Sequence, residues 1–501
     1  MDLRASYDEV PYQSLPLRQT HPDHLATVAS LFGFAATNIE RCRVLELGCA
    51  AGGNLIPMAA SYPGSEFVGI DLSPVQIRQG TAVVAALSLG NIRLLAMDVM
   101  DFDASFGAFD YIIAHGIYSW VPPNVQERIL ALCAEALTAT GIAIVSYNAL
   151  PGWRMLAIVR DAMRYQTRGI TDPKTRVAHA RATLDFLSAS VPGENSAYGR
   201  VLRMAAENLR NKPDYYVLHE YLEEANEPLY FEEFIERASR HRLRYLGEAD
   251  VKLMLSTGLA GETTKALNRI APDLLRREQT LDFLRNRTFR QTMLIHDGPP
   301  LDRKVSPERV TSLWIAAPLQ ASHPNANPGS DEVLEFLLPD GRSLEAQSPI
   351  SKAAFLVLGE RWPLAISFAE LFGEASRRFQ SSARGGVDQR ELLASELMRC
   401  FVNDVVELHC GPSPFVLVSG QRPGACALAR LQASSGVQAT NRRHELIALD
   451  EEARALLPLM DGTRTCEEIA AMRWPALHVA ARLERVTNAI AAIGRQALLV
   501  G

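Results

Sequence analysis

Three acidic residues, Glu46, Asp71 and Asp98, lie at or just beyond the ends of three consecutive predicted strands. Asp71, after the second strand, is placed to accept hydrogen bonds from both hydroxyls of a ribose. Asp98, after the third strand, is placed to accept one from an adenine amino group. Glu46 suits a cationic ligand end, because a buried carboxylate would repel a pyrophosphate. Each residue alone also fits a turn or a helix N-cap, but the three together predict a nucleoside-binding site.

The segment from residue 46 to 53, ELGCAAGG, follows a strand and begins a helix. Glycine or alanine at positions 48, 50 and 52 lets the backbone turn sharply and approach a ligand closely. The loop half-fits a dinucleotide fingerprint, but the three carboxylates favour S-adenosylmethionine, which carries positive charge at its aminocarboxypropyl and sulfonium groups. The expected cofactor-binding residues are Tyr12, Glu46, Gly48, Ala50, Gly52, Asn54, Asp71, Leu72, Asp98 and Val99.

The acceptor of the methyl group is expected where the fourth and fifth predicted strands end. Tyr118 and Trp120 are expected to form an aromatic wall for an alkylammonium group, with packing of a domain seam as the alternative. Tyr147 or Asn148 is expected to hold an acceptor amine, and His115 is either a general base or a hydrogen-bonded spacer. In-line methyl transfer requires positioning and desolvation, and no metal site is predicted.

Two further groups of residues are candidates for covering the site. Tyr12, in the segment before the first strand, is expected to lie over the methionine end of the cofactor, with an exposed surface arm as the alternative. His219, Glu220 and Tyr221 form a polar and aromatic cluster that either reaches the acceptor pocket or only caps and packs a helix.

Strand and helix signals alternate from residue 43 to 148, which predicts a doubly wound α/β sheet. Apolar residues then recur at spacings of three and four from 151 to 224, which indicates helices alone. Strand signals return at 243–247 and 288–295 and would complete a seven-stranded sheet, so the helical stretch is predicted to be an insertion. The first five strands are expected at 44–47, 66–70, 92–97, 109–114 and 142–148.

A stretch rich in Pro, Ser, Asn and Gly, residues 317–330, predicts a linker into a C-terminal region. There the order of a short strand, two short helices and a longer helix occurs twice, which is the order of a winged helix. The predicted domains are 1–150 with 227–297 (cofactor-binding domain), 151–226 (helical insertion, for dimerisation or substrate cover), 298–330 (linker), and 331–412 and 413–501 (two winged-helix-like units).

Composition restricts the classes of partner and compartment. The formal charge of −6 argues against a general nucleic-acid binder, because such binding needs clustered positive charge. Seven scattered cysteines form no C-x-x-C pair and suit a reducing compartment. The chain starts without a secretory signal and contains no apolar run long enough for membrane insertion, so a cytoplasmic location is expected.

Residues 44–58 (VLELGCAAGGNLIPM) and 68–73 (VGIDLS) resemble the cofactor motifs of class I S-adenosylmethionine-dependent methyltransferases. Residues 7–21, 115–122, 219–231 and 282–290 are similar to a bacterial family with a methyltransferase regulatory region, which includes the rickettsial outer-membrane-protein lysine methyltransferases. The resemblance implies a Rossmann-like seven-stranded α/β fold, a helical dimerisation insertion and therefore a homodimer, and lysine side chains as acceptors.

Three functions compete at this point. The first is N-methylation of lysine side chains in a protein substrate. The second is methylation of a small molecule at oxygen or nitrogen, which the cofactor motifs do not exclude. The third is a non-catalytic cofactor-binding scaffold that recruits a partner through its C-terminal region, and the intact set of Glu46, Asp71 and Asp98 argues against it.

Overall fold

The computed structural model describes residues 8–192, 196–255, 259–298, 300–324, 326–378 and 388–501. Tyr7, the first residue of the N-terminal motif quoted above, lies outside these ranges. No helix within them is long and apolar enough to cross a membrane.

A seven-stranded sheet forms the centre of the first domain. Its strands are β1 Arg43–Leu47, β2 Glu66–Asp71, β3 Ile92–Ala96, β4 Phe109–Ala114, β5 Leu137–Asn148, β6 Leu243–Glu248 and β7 Phe289–His296. They lie in the order β3-β2-β1-β4-β5-β7-β6. The first five are parallel, whereas β7 runs antiparallel to both of its neighbours. This order confirms the predicted Rossmann-like α/β sheet.

The strands match the predicted ones closely because both faces of this sheet are covered, so the strands read as apolar runs. The main difference is β5, which begins at Leu137 rather than at residue 142. Its pairing with β4 is irregular: Phe109 pairs with Leu137 and Tyr111 with Ile142, so residues 138–141 continue the strand across a register shift.

Helices cover the two faces of the sheet. They are α1 Pro22–Leu31, α2 Leu55–Ser61, α3 Pro74–Ala86, α4 Pro123–Ala136, α9 Phe231–Arg240, α10 Gly261–Ile270 and α11 Leu274–Arg285. The predicted start of α3 is correct: the Ser73 hydroxyl accepts the N–H of Gln76 at 3.2 Å, and Pro74 opens the helix. Capping of this kind fixes where the chain leaves β2.

Between β5 and β6 the chain forms helices. These are α5 Trp153–Gln166, α6 Pro173–Ser190, α7 Ala197–Arg210 and α8 Asp214–Val217, and a π-helical turn follows at Leu218–Leu222. The insertion has a hydrophobic core of its own, which includes Val159, Met163, Leu202 and Leu209. Met204 on the same helices stays 62% exposed, so only part of the predicted apolar stripes is buried within the insertion.

The C-terminal region contains small sheets and short helices. Its strands are β8 Trp314–Ala316, β9 Gln320–Ala321, β10 Leu334–Leu337, β11 Ser343–Ala346, β12 Ile366–Ser367, β13 Glu407–His409, β14 Gly424–Ala425, β15 Gln438–Thr440, β16 Leu446–Ala448 and β17 Leu499–Val500. Its helices are α12 Pro349–Arg361, α13 Phe368–Arg378, α14 Gln389–Val402, α15 Ala427–Ser435, α16 Glu451–Leu456, α17 Cys466–Arg473 and α18 Val479–Arg495.

The predicted order of strand and helices occurs in both halves of this region. Two of its strands, β8 and β9, lie inside the segment 298–330 that was predicted as a linker. They pair with strands further along the chain, β8 with β12 and β13, and β9 with β10. The segment is therefore partly folded into the C-terminal region, where β9 is an edge strand and β8 is the central strand of its sheet.

Candidate cofactor and acceptor site

The loop after β1 has an alternating left-handed backbone. Gly48, Ala50 and Gly52 have φ angles of 73°, 51° and 73°. A Cβ added at Gly48 would lie 2.3 Å from Cγ2 of Ile117, so this position accepts only glycine. The three positions that the sequence singled out are thus the three that reverse the backbone direction and bring it close to the carboxyl edge of the sheet.

Glu46 is buried at the end of β1, with 4% of its surface exposed. Its Oε1 accepts a hydrogen bond from Nδ2 of Asn54 at 2.8 Å. Its Oε2 is also buried and has no hydrogen-bond partner among the described residues. The pKa of Glu46 is raised to about 7, chiefly by burial, while the bond from Asn54 opposes the rise and the nearby Asp71 adds to it. A cationic group is the partner that this oxygen lacks.

Asp71 ends β2 and is bonded to the loop on both sides. Its Oδ2 accepts the N–H of Ala50 and its Oδ1 accepts the N–H of Ser73, both at 2.8 Å. Each carboxylate oxygen has a second lone pair, so both still have room for ribose hydroxyls. Leu72, the next residue, is 39% exposed and offers an apolar surface beside the carboxylate.

Asp98 follows β3 and caps a short 3₁₀ turn. Its Oδ1 accepts the N–H of Met100 at 2.9 Å. The alternative of a helix cap therefore holds for one oxygen of Asp98, which does not prevent the other from accepting an adenine amino group. Val99 is half-buried in the turn that Asp98 caps.

The N-terminal segment crosses the loop and ties it to the rest of the site. The hydroxyl of Ser73 donates to Asp8 at 2.5 Å, and the N–H of Gly53 donates to the hydroxyl of Ser14 at 2.6 Å. Tyr12 lies between these two anchors along the chain and packs edge-on against Tyr215, with ring centroids 5.1 Å apart. The segment therefore covers the site at several points.

His115 follows β4 at the same edge of the sheet. Burial lowers its pKa to about 4, so the ring is neutral at pH 7. Its Nδ1 is buried and finds no partner in the described part of the chain. The ring packs edge-on against Phe289, with centroids 5.8 Å apart. The neighbouring Gly116 is exposed, and a Cβ added there would have no atom within 4 Å. His115 is thus a half-buried ring beside an exposed turn.

Tyr118 and Tyr147 lie deeper, in the hydrophobic core. Both are at most 1% exposed, and both rings pack on Phe234 of α9, with centroids 5.4 and 4.1 Å away. The hydroxyl of Tyr147 is within 3.2 Å of Oγ1 of Thr292. The structure thus places both rings in the core, rather than at the domain seam given as the alternative for Tyr118, and neither ring reaches the surface.

Trp120 and Asn148 belong to the seam with the insertion. The Trp120 ring lies 6.3 Å from that of Trp153, and the guanidinium of Arg160 lies 5.9 Å from it. Nδ2 of Asn148 donates to Asn226 at 2.9 Å. The bond to Asn226 uses Nδ2 of Asn148 and leaves its Oδ1 to accept an N–H group.

The residues present fit S-adenosylmethionine. A buried carboxylate oxygen without a partner suits the ammonium of the methionine end, and the second carboxylate and Leu72 suit a ribose and the adenine beside it. Sequence reasoning missed Thr20 and His444, which both bond to Asn54, at 2.9 and 2.7 Å. His444 lies 390 residues from Asn54 along the chain, and no local pattern reports such a contact.

Family models match three parts of the chain. A methyltransferase domain matches residues 44–141, a predicted methyltransferase regulatory domain matches 213–296, and the C-terminal winged helix domain of PKMT matches 421–474. The first two overlap the predicted cofactor-binding domain, and the third falls within the second predicted winged-helix-like unit.

Two relatives come from Rickettsia prowazekii. The uncharacterized protein RP789 is 35% identical over 469 residues, which cover 91% of this chain and 83% of RP789. The uncharacterized protein RP028 is 38% identical over 243 residues, which cover 48% of this chain and 97% of RP028.

The structure of PKMT2 from Rickettsia typhi in complex with AdoHcy superposes with a TM-score of 0.86. The sequence identity is 28%, and the match covers 98% of this chain and all of PKMT2. The likeness includes the insertion and the C-terminal region as well as the sheet. The chain belongs to the family of bacterial class I S-adenosylmethionine-dependent methyltransferases that carry a methyltransferase regulatory domain and a C-terminal winged-helix domain.

Proposed function

We propose that this methyltransferase N-methylates lysine side chains of a protein substrate by direct in-line transfer. The observation that carries the proposal is the likeness to PKMT2, a protein lysine methyltransferase, along 98% of the chain. A likeness confined to the sheet would leave the acceptor open, because the same sheet serves many acceptors. Here the likeness extends to the parts outside the cofactor-binding core.

S-adenosylmethionine, when bound, supplies an electrophilic methyl group on a sulfonium. Glu46 would hold its ammonium end through the free oxygen Oε2, and Asp71 would hold the ribose hydroxyls. The part left to the protein is to place a neutral amine in line with the methyl group and to exclude water. A lysine amine with a pKa of ~10.4 must lose its proton first, which costs roughly 4 kcal/mol at pH 7.

His115 is suited to orient that amine rather than to deprotonate it. A ring with a pKa of about 4 holds a proton far more weakly than a lysine amine does. Its buried Nδ1, which lacks a partner within the described residues, is available for a hydrogen bond. We propose that His115 positions the neutral amine and that the proton leaves to solvent.

An aromatic and acidic cluster supports a cationic acceptor. Burial raises the pKa of Tyr12, Tyr216 and Tyr221, and the nearby Glu220 raises each of them further. Burial also raises the pKa of Glu220 to about 7, so its carboxylate is fully charged only above neutral pH. The ring centroids of Tyr216 and Tyr221 are 6.5 Å apart. Rings and a carboxylate together attract an alkylammonium group. We propose that this cluster receives the lysine as it approaches the methyl donor.

The cluster is joined to the cofactor loop through the N-terminal segment. Nε2 of His219, beside Glu220, is 2.7 Å from the carbonyl oxygen of Val10. Two residues beyond Tyr12, the hydroxyl of Ser14 accepts the N–H of Gly53. The π-helical turn that carries His219 and Glu220 is a form often found at functional sites. An acceptor bound at the cluster would therefore contact the segment that covers the cofactor.

The test follows a labelled methyl group. The chain is incubated with methyl-labelled S-adenosylmethionine and a bacterial lysate separated into protein and small-molecule fractions, with the Asp71→Ala variant as the control for enzyme-dependent label. A third sample contains the protein fraction after its lysines have been acetylated. We expect label in the protein fraction only, recovered as methyllysine after hydrolysis and abolished by acetylation. Label in small molecules, or label in protein that acetylation does not reduce, contradicts the proposal.

A further inference from the structure

A hairpin of the C-terminal region reaches into the cofactor site. Strands β15 and β16 are joined by a short turn, residues 441–445, and His444 in this turn has a left-handed backbone with φ of 60°. The His444 side chain is 5% exposed, and its Nε2 lies 2.7 Å from Oδ1 of Asn54 at the start of α2. The two residues belong to different domains, so this bond connects them at the edge of the loop.

All four hydrogen-bonding positions of the Asn54 amide are occupied. Its oxygen accepts from the backbone N–H of Leu17 at 3.0 Å and from His444, and its nitrogen donates to Thr20 at 2.9 Å and to Glu46 at 2.8 Å. The N–H of Leu17 can only donate, which identifies the oxygen of the amide without ambiguity. Asn54 is therefore held in one orientation, with one N–H toward Glu46 and the other toward Thr20.

His444 acts on this amide as a donor. It is buried, and burial, together with His21 and Arg18, holds its pKa well below the ordinary value, so the ring is neutral. A neutral imidazole has one N–H, and Nε2 faces an acceptor, which places the proton on Nε2. Its ring also packs against that of His21, with centroids 5.0 Å apart.

We infer that His444 is a positioning residue for the cofactor, acting through Asn54 on Glu46. Without its donor, the oxygen of Asn54 loses one of two bonds, and the amide is freer to turn its N–H groups away from Glu46. Glu46 would then be less ordered as the receptor for the ammonium of S-adenosylmethionine. The second C-terminal unit would thereby complete a site that the methyltransferase domain alone forms only in part.

The turn is seated on the methyltransferase domain independently of this bond. A guanidinium nitrogen of Arg442 is 3.3 Å from the carbonyl oxygen of Ser61, and Arg18 pairs with Glu445 at 3.0 Å. Removing the donor of His444 should therefore leave the hairpin docked. This separates the hydrogen bond from the docking of the domain.

The test measures binding of S-adenosylhomocysteine to the full chain by calorimetry, without any acceptor. It is thus independent of whether lysine is the methylated group. His444→Phe keeps an aromatic ring against His21 but removes the donor, and we expect about three- to tenfold weaker binding. His444→Gln restores an N–H donor of similar reach, and we expect affinity within about twofold of wild type. Equal affinity in wild type and the Phe variant, or equal losses in both variants, overturns the inference.

Two further variants test the route. If His444 acts through Asn54, His444→Phe should cause no additional loss of affinity in an Asn54→Ala background, because coupled residues are not additive. Arg442→Met on the same turn, which lacks contact with Asn54, should bind like wild type. Additive losses in the double variant, or a loss in Arg442→Met as large as in His444→Phe, would assign the effect to domain docking and overturn the inference.

Discussion

The carboxylate of Asp71 accepts the backbone N–H of Ala50 at 2.8 Å. The end of β2 is thereby bonded to the centre of the cofactor loop, at a residue whose φ of 51° is unusual for alanine. The side chain holds the loop in its left-handed conformation, and we expect it to bind the ribose as well.

Asp71→Ala should therefore weaken S-adenosylmethionine binding by about ten- to a hundredfold, since a charge-assisted hydrogen bond contributes ~1.5–3 kcal/mol. Asp71→Asn keeps one acceptor oxygen for the loop, so its affinity for S-adenosylmethionine should lie between those of wild type and Asp71→Ala. The matched control is Asp101→Ala, which removes an exposed carboxylate after β3 and should bind S-adenosylmethionine as wild type does. Calorimetry measures all three, and wild-type affinity in a folded Asp71→Ala protein would contradict the cofactor site.

Cofactor binding should depend on pH through Glu46. Its pKa of about 7 in the free protein means that it is protonated below pH 7, whereas an ammonium ligand requires the carboxylate. We expect affinity to rise with pH up to about 7 and to fall again above about pH 8, where the α-amino group of the ligand loses its proton. Below pH 7 we expect proton uptake by buffer on binding. Calorimetry in buffers of different ionisation enthalpy measures the released proton. Glu46→Gln should remove the rise in affinity with pH below pH 7. If affinity rises just as steeply in that variant, Glu46 is not the source of the pH dependence.

The same carboxylate affects stability with a definite sign. Because its folded-state pKa lies above the unfolded value of 4.5, the folded protein binds more protons between pH 4.5 and about 7. The cofactor-free protein should therefore lose roughly 3 kcal/mol of unfolding free energy as pH rises through this range. Urea unfolding of wild type and of Glu46→Gln at pH 5 and pH 7 measures this loss. The loss of unfolding free energy between the two pH values should be smaller in Glu46→Gln than in wild type.

The cofactor half of the site was predictable because its signals are local. Glu46, Gly48 and Asp71 stand at fixed offsets from strand ends, and strand ends follow from short apolar runs. The acceptor half was not predictable to the same extent. Tyr118 and His115 are three residues apart, yet one ring packs on Phe234 in the core and the other packs on Phe289 beside the exposed Gly116. Aromatic content alone does not tell these directions apart.

Tyr118 provides a test of that distinction. Tyr118→Ala should destabilise the fold by ~3–5 kcal/mol, because it leaves a cavity beside Phe234. Tyr118→Phe keeps the ring and should leave methyl transfer per folded molecule within about twofold of wild type. Urea unfolding and initial rates at saturating cofactor separate the two effects. If Tyr118→Phe is stable but transfers the methyl group much more slowly than wild type, the Tyr118 hydroxyl takes part in the acceptor site.

Glu220 tests the proposed approach of the lysine. At pH 8, above its pKa of about 7, Glu220 is charged. Glu220→Gln removes this charge while keeping the shape, and at that pH we expect kcat/KM for the protein substrate to fall about ten- to a hundredfold. Affinity for S-adenosylhomocysteine should stay within about twofold. Glu207→Gln, on the exposed face of α7, is the matched control and should leave both unchanged. If kcat/KM is unaffected by Glu220→Gln, the cluster does not receive the acceptor.

We predict that a second copy of the chain binds at the helical insertion. Its helices bury Val159 and Leu202 in a core of their own, but Phe186 and Met204 on the same helices remain 67% and 62% exposed. Large apolar side chains exposed on projecting helices are typical of a protein interface. We therefore expect a homodimer with an interface well over ~1,000 Å², which would also steady the insertion beside the Glu220 cluster.

The dimer is tested by mass and by rate together. Light scattering at micromolar concentration should return twice the chain mass of 55.1 kDa. The double variant Phe186→Asp, Met204→Asp should have the mass of one chain and a lower rate of methyl transfer than wild type. The reason is that an insertion without its partner would hold Glu220 less firmly. Val418→Asp, which changes a residue 82% exposed in the C-terminal region, is the control and should stay dimeric. A fully active protein of 55.1 kDa would leave the insertion as a cover for the substrate rather than a dimer interface.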